Sequence, residues 1–524
     1  MESVIETGAA HGYNGLVLSA GLDRMDLFDE PALNRLRAIK QMCDTNSIEL
    51  IPLIFSLGYG SSVLKHDRNL AAGYPVKDAE FVVKGMRARH VPSHKEPLIP
   101  NGGFEEYEGN RAAGFGLQDL PGEVSFIDTN VFHSGKASMR FQDISKDPHG
   151  HGRVRQRIRV KPYHCYKATM WVKTENMKAN QLTMYPLSEK GKYLLFWGSP
   201  PETNSDWTKM EFMFNSWEFD LVKIFAGCWR GTEGRFWLDD LQVEEVGMRN
   251  VIRRPGAPLV VKNAATGEVY EEGRDFKPVE NRGGGFGFGN PDQDIEVIPG
   301  GLIKDGDRLL VDYYYFSYVN NKQQVPVCPA EEKLYEIWAE QIRRLHDFLA
   351  PRYYFLDMDE IRAGGSCAAC HRIKEKEGWS QGRLLGHAIT RACDIVKDVN
   401  PDAEVIIWSD MLDPHHNARA DYYVVDGDYT GSWEHVPEHL VIACWSGSEN
   451  TLKHFTGRGH KVLAAGYYDS DNLQGSRTWL ERLDRFPEHS VGIMYTTWLN
   501  KFGLLADFGD MVMEHRVYTP RAAD

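Results

Sequence analysis

Two hydrophobic periodicities alternate at the start of the chain. Residues 14–20, NGLVLSA, form a short apolar run of strand length. Leu33, Leu36, Ile39 and Met42 then recur at helical spacing, and residues 48–55, IELIPLIF, are apolar but for Glu49. A strand apolar on both faces, followed by an amphipathic helix, is the repeat of a parallel sheet covered by helices. The rhythm returns at about residue 308. LLVDYYYF ends near Phe316, and a helix follows with Leu334, Ile337, Trp338, Ile342, Leu345 and Phe348 on one face. Next come YYFLDMDE, then a helix marked by Leu385, Ala388, Ile389, Ala392 and Ile395 and stopped by Pro401. Apolar runs at 404–410, 440–445, 461–468 and 491–498 complete the series, and YYVVDGD at 422–428 is a further strand or part of a loop. The count comes to about eight strands, the number that closes a (β/α)8 barrel of the TIM type.

Between residues 98 and 246 the helical period disappears. Short alternating strands and Gly or Asn turns take its place. From 247 to 307, TGEVYEEGRDF and IEVIPGGLIKDGDRLLV predict two hairpins with glycine turns. The run Gly283–Gly289 lacks the Lys-Ser/Thr and helix start of a phosphate loop, so it predicts a turn. The expected organisation is α/β. Residues 1–95 and 308–524 form the barrel, 96–246 an inserted all-β domain, and 247–307 a small β-rich segment. Insertion at a loop is tolerated where the ends of the inserted module lie close together.

The inserted segment carries four short motifs. They are Asn101-Gly102-Gly103-Phe104-Glu105, His133-Ser134-Gly135 with Ser138, Tyr166 followed by Trp171-Val172-Lys173, and Trp237-Leu238-Asp239-Asp240. This series resembles the jelly-roll carbohydrate-binding modules that accompany polysaccharide-degrading enzymes. The resemblance implies a β-sandwich, with Trp207, Trp217 and Trp229 as candidates for stacking on a sugar; core packing is the alternative use of each.

Composition narrows the partners. The 524-residue chain has a formal net charge of -14, against the basic surface that nucleic acid or an anionic membrane requires. Thirteen Trp and 23 Tyr supply aromatic faces of the kind that pack on sugar rings. No apolar run has the length of a membrane span. The first residues, MESVIETGAAHGYNG, lack a basic region followed by an apolar one, so no signal peptide is expected. Location stays open between the cytoplasm and secretion with a leader outside this chain, and oligomeric state is not legible.

The predicted strand ends carry the chemistry. Asp359-Glu360, Trp408 with Asp410, Trp445, Tyr467-Tyr468-Asp469 and Trp498 all fall where a barrel collects its functional residues. Paired acids ringed by aromatics suit glycoside hydrolysis, in which one acid protonates the leaving oxygen and a second group stabilises an oxocarbenium-like centre. Neighbouring strand residues point in opposite directions, so Asp359 and Glu360 share one site only if the strand end twists.

These motifs resemble those of the β-N-acetylhexosaminidases of glycoside hydrolase family 20. The adjacent Asp359-Glu360, Trp408-Ser409-Asp410, Tyr467-Tyr468-Asp469 and Trp498 are similar to that family's pattern at strands four, five, seven and eight. The resemblance implies a retaining, substrate-assisted mechanism on β-linked N-acetylated glycans. Asp359 would orient the substrate's 2-acetamido group as an ionised acceptor, and Tyr467 would donate to its carbonyl. Glu360 would be general acid/base, and Asp469 would hold a sugar hydroxyl. Trp498 would be the stacking floor, with Trp408, Asp410, Trp445 and Arg24 as further substrate contacts. Asn500 stands where the family has Glu, and the loop Phe55-Ser56-Leu57-Gly58-Tyr59-Gly60 lacks its P-G-H. Two other functions stay open: a glycosidase of the same barrel class with Asp469, Asp471 or Asp410 as nucleophile, and a non-catalytic carbohydrate-binding protein. No cofactor or catalytic metal is expected.

Cys367-Ala368-Ala369-Cys370-His371 follows the acid pair in a C-x-x-C-H spacing. The pattern permits haem attachment, a disulfide, free thiols, or a metal clip with Cys328 or a His as a further ligand.

Overall fold

A computed structural model describes residues 1–515 except 196, 199, 283–284 and 321–323. Gly283 and Gly284 of the expected glycine turn thus lie outside the described residues. The chain divides into two compact units. Unit one comprises Met1–Leu70, Pro326–Ile361 and Cys370–Asp524; unit two comprises Ala71–Val325 with Arg362–Ala369.

Unit one holds a seven-stranded sheet whose strands lie in chain order. They are β1 (Gly15–Leu18), β2 (Glu49–Ile54), β3 (Tyr353–Leu356), β4 (Glu404–Trp408), β5 (Val441–Cys444), β6 (Lys461–Tyr468) and β7 (Ser490–Thr496). Every neighbouring pair is parallel. The helices are α1 (Glu2–Ala10), α2 (Glu30–Thr45), α3 (Glu332–Leu349), α4 (Ala368–Glu377), α5 (Gln381–Val399), α6 (Glu449–Thr456), α7 (Gln474–Leu483) and α8 (Leu505–Glu514). Some of their starts carry a side-chain cap. Asp29 accepts from the Ala32 N–H ahead of α2, and Ser380 accepts from the Arg383 N–H ahead of α5. On one face of the sheet Leu53, Phe355, Ile406, Trp408, Val441, Ala443 and Ala465 pack together, joined by Val17 of β1 and Met494 of β7. All seven strands contribute to this one cluster, so the sheet curls around it.

The eighth strand expected at residues 308–316 is absent from this sheet. Arg308–Tyr315 belongs to unit two, where it pairs antiparallel with Tyr74–Lys84 and with Val260–Asn263 in a six-stranded sheet. The run looked uniformly apolar because tyrosines occupy both faces. Its burial alternates instead, with Leu309, Val311, Tyr313 and Tyr315 inward. The boundaries expected at residues 95 and 307 therefore do not divide the sheets, since residues 74–90 and 308–315 pair with each other. Val424–Val425, within YYVVDGD, forms a two-residue strand outside the parallel sheet.

The rest of unit two is an antiparallel β module built on two long strands, Cys165–Ser188 and Leu221–Glu245, paired along their length. Its motifs lace the first turn to the last strand. The Leu241 N–H donates to the Gly102 carbonyl at 2.9 Å. A Cβ on Gly102 would stand 1.8 Å from the Leu241 carbonyl oxygen, so no other residue fits there. Asp239 Oδ2 accepts from the His133 N–H at 2.7 Å, and Glu105 accepts from the Lys136 N–H at 2.8 Å. Among the tryptophans, Trp217 is buried edge-on to Tyr74, and Trp229 lies under the Arg153 guanidinium at 4.5 Å. Trp207 is partly buried and edge-on to His133.

Candidate functional site

The site grows from the end of β3. The Asp357 N–H donates to the Ile54 carbonyl at 2.7 Å, which prolongs the pairing with β2 for one residue. The backbone then leaves strand geometry. Glu360 adopts φ +47°, a left-handed conformation that costs a non-glycine residue on the order of 1 kcal/mol or more. This turn is the twist that the adjacent acids require. It is held by the Glu360 N–H, which donates to Asp410 Oδ2 at 2.9 Å. Glu360 Oε2 accepts from the Tyr59 hydroxyl at 2.5 Å, and Tyr59 is itself fixed by its N–H to Ser56 Oγ.

Asp410 follows β4 and is fully buried. Besides the Glu360 N–H, it accepts from Asn417 Nδ2 at 2.8 Å and from the Trp445 indole N–H at 3.4 Å. Burial raises its pKa, although these donors and nearby His416 favour the anion. The His416 ring stands edge-on to Trp445 at 4.3 Å, and its buried Nδ1 has no partner among the described residues. Asp359 is more strongly affected. Burial, then Asp357, Asp410 and Glu360, push its carboxyl well above the ordinary range, and its Oδ1 is buried without a partner among the described residues. These surroundings oppose ionisation of Asp359, whereas the sequence reading expects an ionised acceptor there.

Two further acids belong here. Burial and the neighbouring Asp23 raise the pKa of Asp357, partly offset by Ser56 and Trp408. Asp23 lies in the short turn after β1, 4% exposed, and accepts from the Phe55 N–H at 2.8 Å. Arg24, the residue expected from sequence, turns the other way. It lines a cleft with Leu18, Phe28, Arg35 and Ile39, its guanidinium over the Phe28 ring at 5.6 Å. Successive residues of the turn diverge, and the acid faces inward.

The same reversal occurs on β6. Tyr467 is buried against Leu480, Phe508 and Met511, stacks on Tyr495 at 4.0 Å, and donates its hydroxyl to the Ser470 carbonyl. It has no free hydroxyl for a substrate carbonyl. The β6–β7 register shifts between Ala465 and Tyr467, and this bulge moves Tyr468 into the position expected for its neighbour. Tyr468 is 55% exposed, parallel to Trp445 at 6.4 Å, and close enough to Glu360 and Asp359 for their charges to help raise its pKa beyond the effect of burial. Trp498 is 50% exposed and continues this aromatic rim; Trp408 is buried on Phe355 and forms floor rather than wall. Asp469 is committed to the loop that carries Trp498. Its carboxylate accepts from Thr497 Oγ1 and from the Trp498 and Leu499 N–H groups. Burial opposes ionisation, yet those donors hold its pKa below the usual range. A sugar hydroxyl would have to displace them.

Burial outweighs the hydrogen bonds from Phe55 and Ser56 and holds the Asp23 carboxyl up at about 6, against 3.8 for an ordinary aspartate. A raised folded pKa contributes stability that is complete below the unfolded pKa and is lost as pH rises through about 6. Two pKa units correspond to about 3 kcal/mol. Asp23→Asn imitates the protonated acid and keeps the acceptor oxygen. It should raise the melting temperature at neutral pH and leave it unchanged near pH 4, as paired thermal melts will show. Equal stability of the two proteins at neutral pH would remove Asp23 from the buried acid group.

Residues 96–218 match the family of carbohydrate binding domains. Solved structures also align with part of the chain. TmCBM61, in complex with β-1,4-galactotriose, is 14% identical, covering 29% of this chain and 100% of its own, with a TM-score of 0.24. The CBM22-1 xylan-binding domain of Paenibacillus barcinonensis Xyn10C is 14% identical, covering 26% of this chain and 89% of its own, with a TM-score of 0.20. A family 16 carbohydrate-binding module is 17% identical, covering 28% of this chain and 98% of its own, with a TM-score of 0.21. Among curated proteins none matches. No described helix is long and apolar enough to cross a membrane.

Proposed function

We propose that unit one is a glycoside hydrolase acting on β-linked, N-acetylated glycans with retention, and that residues 96–218 bind carbohydrate in the same chain. The observation that carries the hydrolase is the turn at the end of β3, where Glu360 meets Tyr59 and Asp410 beside Asp359, Tyr468 and Trp445. Glu360 is the proton donor to the leaving oxygen. Asp359 accepts the acetamido N–H as an anion, its proton having passed to water when substrate binds, and it stabilises the positive charge that develops as the acetamido oxygen attacks C1 and the bond to the leaving oxygen breaks. Asp410 positions Glu360, and Tyr468 with Trp445 and Trp498 offers the stacking wall.

Substrate-assisted chemistry is favoured over a protein nucleophile by the state of the alternative acids. Asp410 accepts from three donors, Asp469 from Thr497 and two backbone amides, and Asp471 is 93% exposed and paired to Lys501. Asp410 and Asp469 are thus held by hydrogen bonds to their own surroundings, and Asp471 is turned to solvent. The test compares hydrolysis of an aryl N-acetyl-β-glucosaminide with that of an aryl β-glucoside. Turnover of the first alone is expected. Turnover of the second alone would require a protein nucleophile. Binding of glycans without hydrolysis of either would leave a carbohydrate-binding protein.

A further inference from the structure

Val17 of β1 packs in the cluster that the sheet curls around, so its neighbour Leu18 points to the other face, towards α2. There unit one has a cleft of about 450 Å3, within the roughly 300–1,000 Å3 of small-molecule sites. Leu36 and Ile39, one turn apart on α2, face Leu18 across it, and Phe28 adds an aromatic ring. Leu27 also lines the cleft and is 49% exposed, so its apolar surface continues to solvent.

The charges of the cleft are unbalanced. Arg24 and Arg35 both line it, and neither guanidinium has a hydrogen bond or ion pair among the described residues. Arg24 rests on the Phe28 ring alone. It reaches the cleft through a break in the short turn after β1, where φ -139° and ψ 37° leave helical geometry. By contrast Arg37, two residues beyond Arg35, is paired with Glu30 at 2.8 Å. Asp29, the acid of the lining, is committed to α2, whose Ala32 N–H it accepts at 2.8 Å. Two cations thus stand unanswered over an apolar surface, in a chain whose net charge is -14.

We propose that this cleft binds a small amphipathic anion, with a carboxylate or phosphate head at Arg24 and Arg35 and an acyl or aryl body on Leu18, Phe28, Leu36 and Ile39. A guanidinium presents parallel N–H groups that match the oxygens of either head. An inorganic anion alone would leave the apolar walls in water, and a neutral apolar molecule would leave both guanidiniums without an acceptor. One ligand carrying both parts satisfies both surfaces. The assignment does not depend on the hydrolase, because the turn sends Arg24 to the cleft and Asp23 inward to the buried acids.

The experiment is calorimetric titration of the full chain with octanoate and octyl phosphate, alongside octanamide, acetate and inorganic phosphate. One octyl anion per chain is expected, and the tighter of the two identifies the head. Octanamide keeps the tail without the charge, and acetate and inorganic phosphate keep the charge without the tail; each should bind roughly tenfold or more weakly. Arg24→Gln/Arg35→Gln should weaken the octyl anions by roughly a hundredfold, the scale of two charge-assisted contacts, and leave octanamide unaffected. Ala20 also lines the cleft, and Ala20→Trp fills it while keeping both arginines, so it should abolish binding even if the double variant does not fold. Equal affinity for octanoate and octanamide, unchanged affinity in either variant, or no binding of either octyl anion at millimolar concentration would overturn the proposal.

Discussion

With Glu360 as the proposed proton donor, Glu360→Gln should lower turnover of glycans with poor leaving groups by roughly a hundred- to ten-thousandfold, the range lost with a general acid. The substitution removes a proton and little else. The Glu360 N–H still reaches Asp410, φ +47° is retained, and the amide oxygen can still accept from Tyr59. Glycan affinity should hold. Aryl glycosides whose leaving groups need no protonation should lose far less, so the ratio of the two losses identifies the acid better than either alone. Near-normal hydrolysis of a natural glycan by the variant would dismiss Glu360 from this role.

Asp359→Asn should cost roughly a hundredfold or more on N-acetylated substrates, the scale of one preorganised electrostatic contact to a transition state. A second readout separates this from a loss of packing. Burial and the surrounding carboxylates hold the Asp359 pKa above the ordinary range, and the proposed chemistry needs its anion. Activity of the wild type should therefore rise with pH through that elevated value, and the acid-side limb should vanish in the variant because Asn does not titrate. A thiazoline analogue of the bicyclic intermediate should inhibit the wild type and bind the variant more weakly. An unchanged pH profile in Asp359→Asn, or a fluorosugar ester trapped on Asp410, Asp469 or Asp471, would transfer the nucleophile to the protein.

The sequence made the parallel sheet legible wherever a strand was buried on both faces, because IELIPLIF and YYFL leave no other use for so many apolar residues. It misplaced Arg308–Tyr315 because tyrosine serves a half-exposed strand as well as a buried one. The acids of the site were legible where they stood in adjacent pairs or beside tryptophan, as Asp359, Glu360 and Asp410 do. Asp23 and Tyr468, which face the acid group, each stand one residue from the Arg24 and Tyr467 read from the sequence. Both offsets arise at irregular backbone, a short helical turn and a bulge, where the rule of alternation fails. Tyr59 and Asp357 carried no signal at all. Their place depends on contacts with Glu360 and Asp23 that only folding creates.

The pairing of β2 with β3, Leu53 opposite Phe355, joins neighbours separated by some three hundred residues. Contacts so remote in sequence ordinarily slow folding, since a long chain must close before they form. Here the intervening module closes itself. It is entered near Tyr74 and left shortly after Tyr315, and those residues are partners in one antiparallel ladder. Once that ladder exists, the chain linking β2 to β3 is kinetically short. During synthesis β1, α2 and β2 emerge before the module, yet their sheet gains its third strand only after the whole module has been translated, so the module can assemble ahead of the sheet it interrupts.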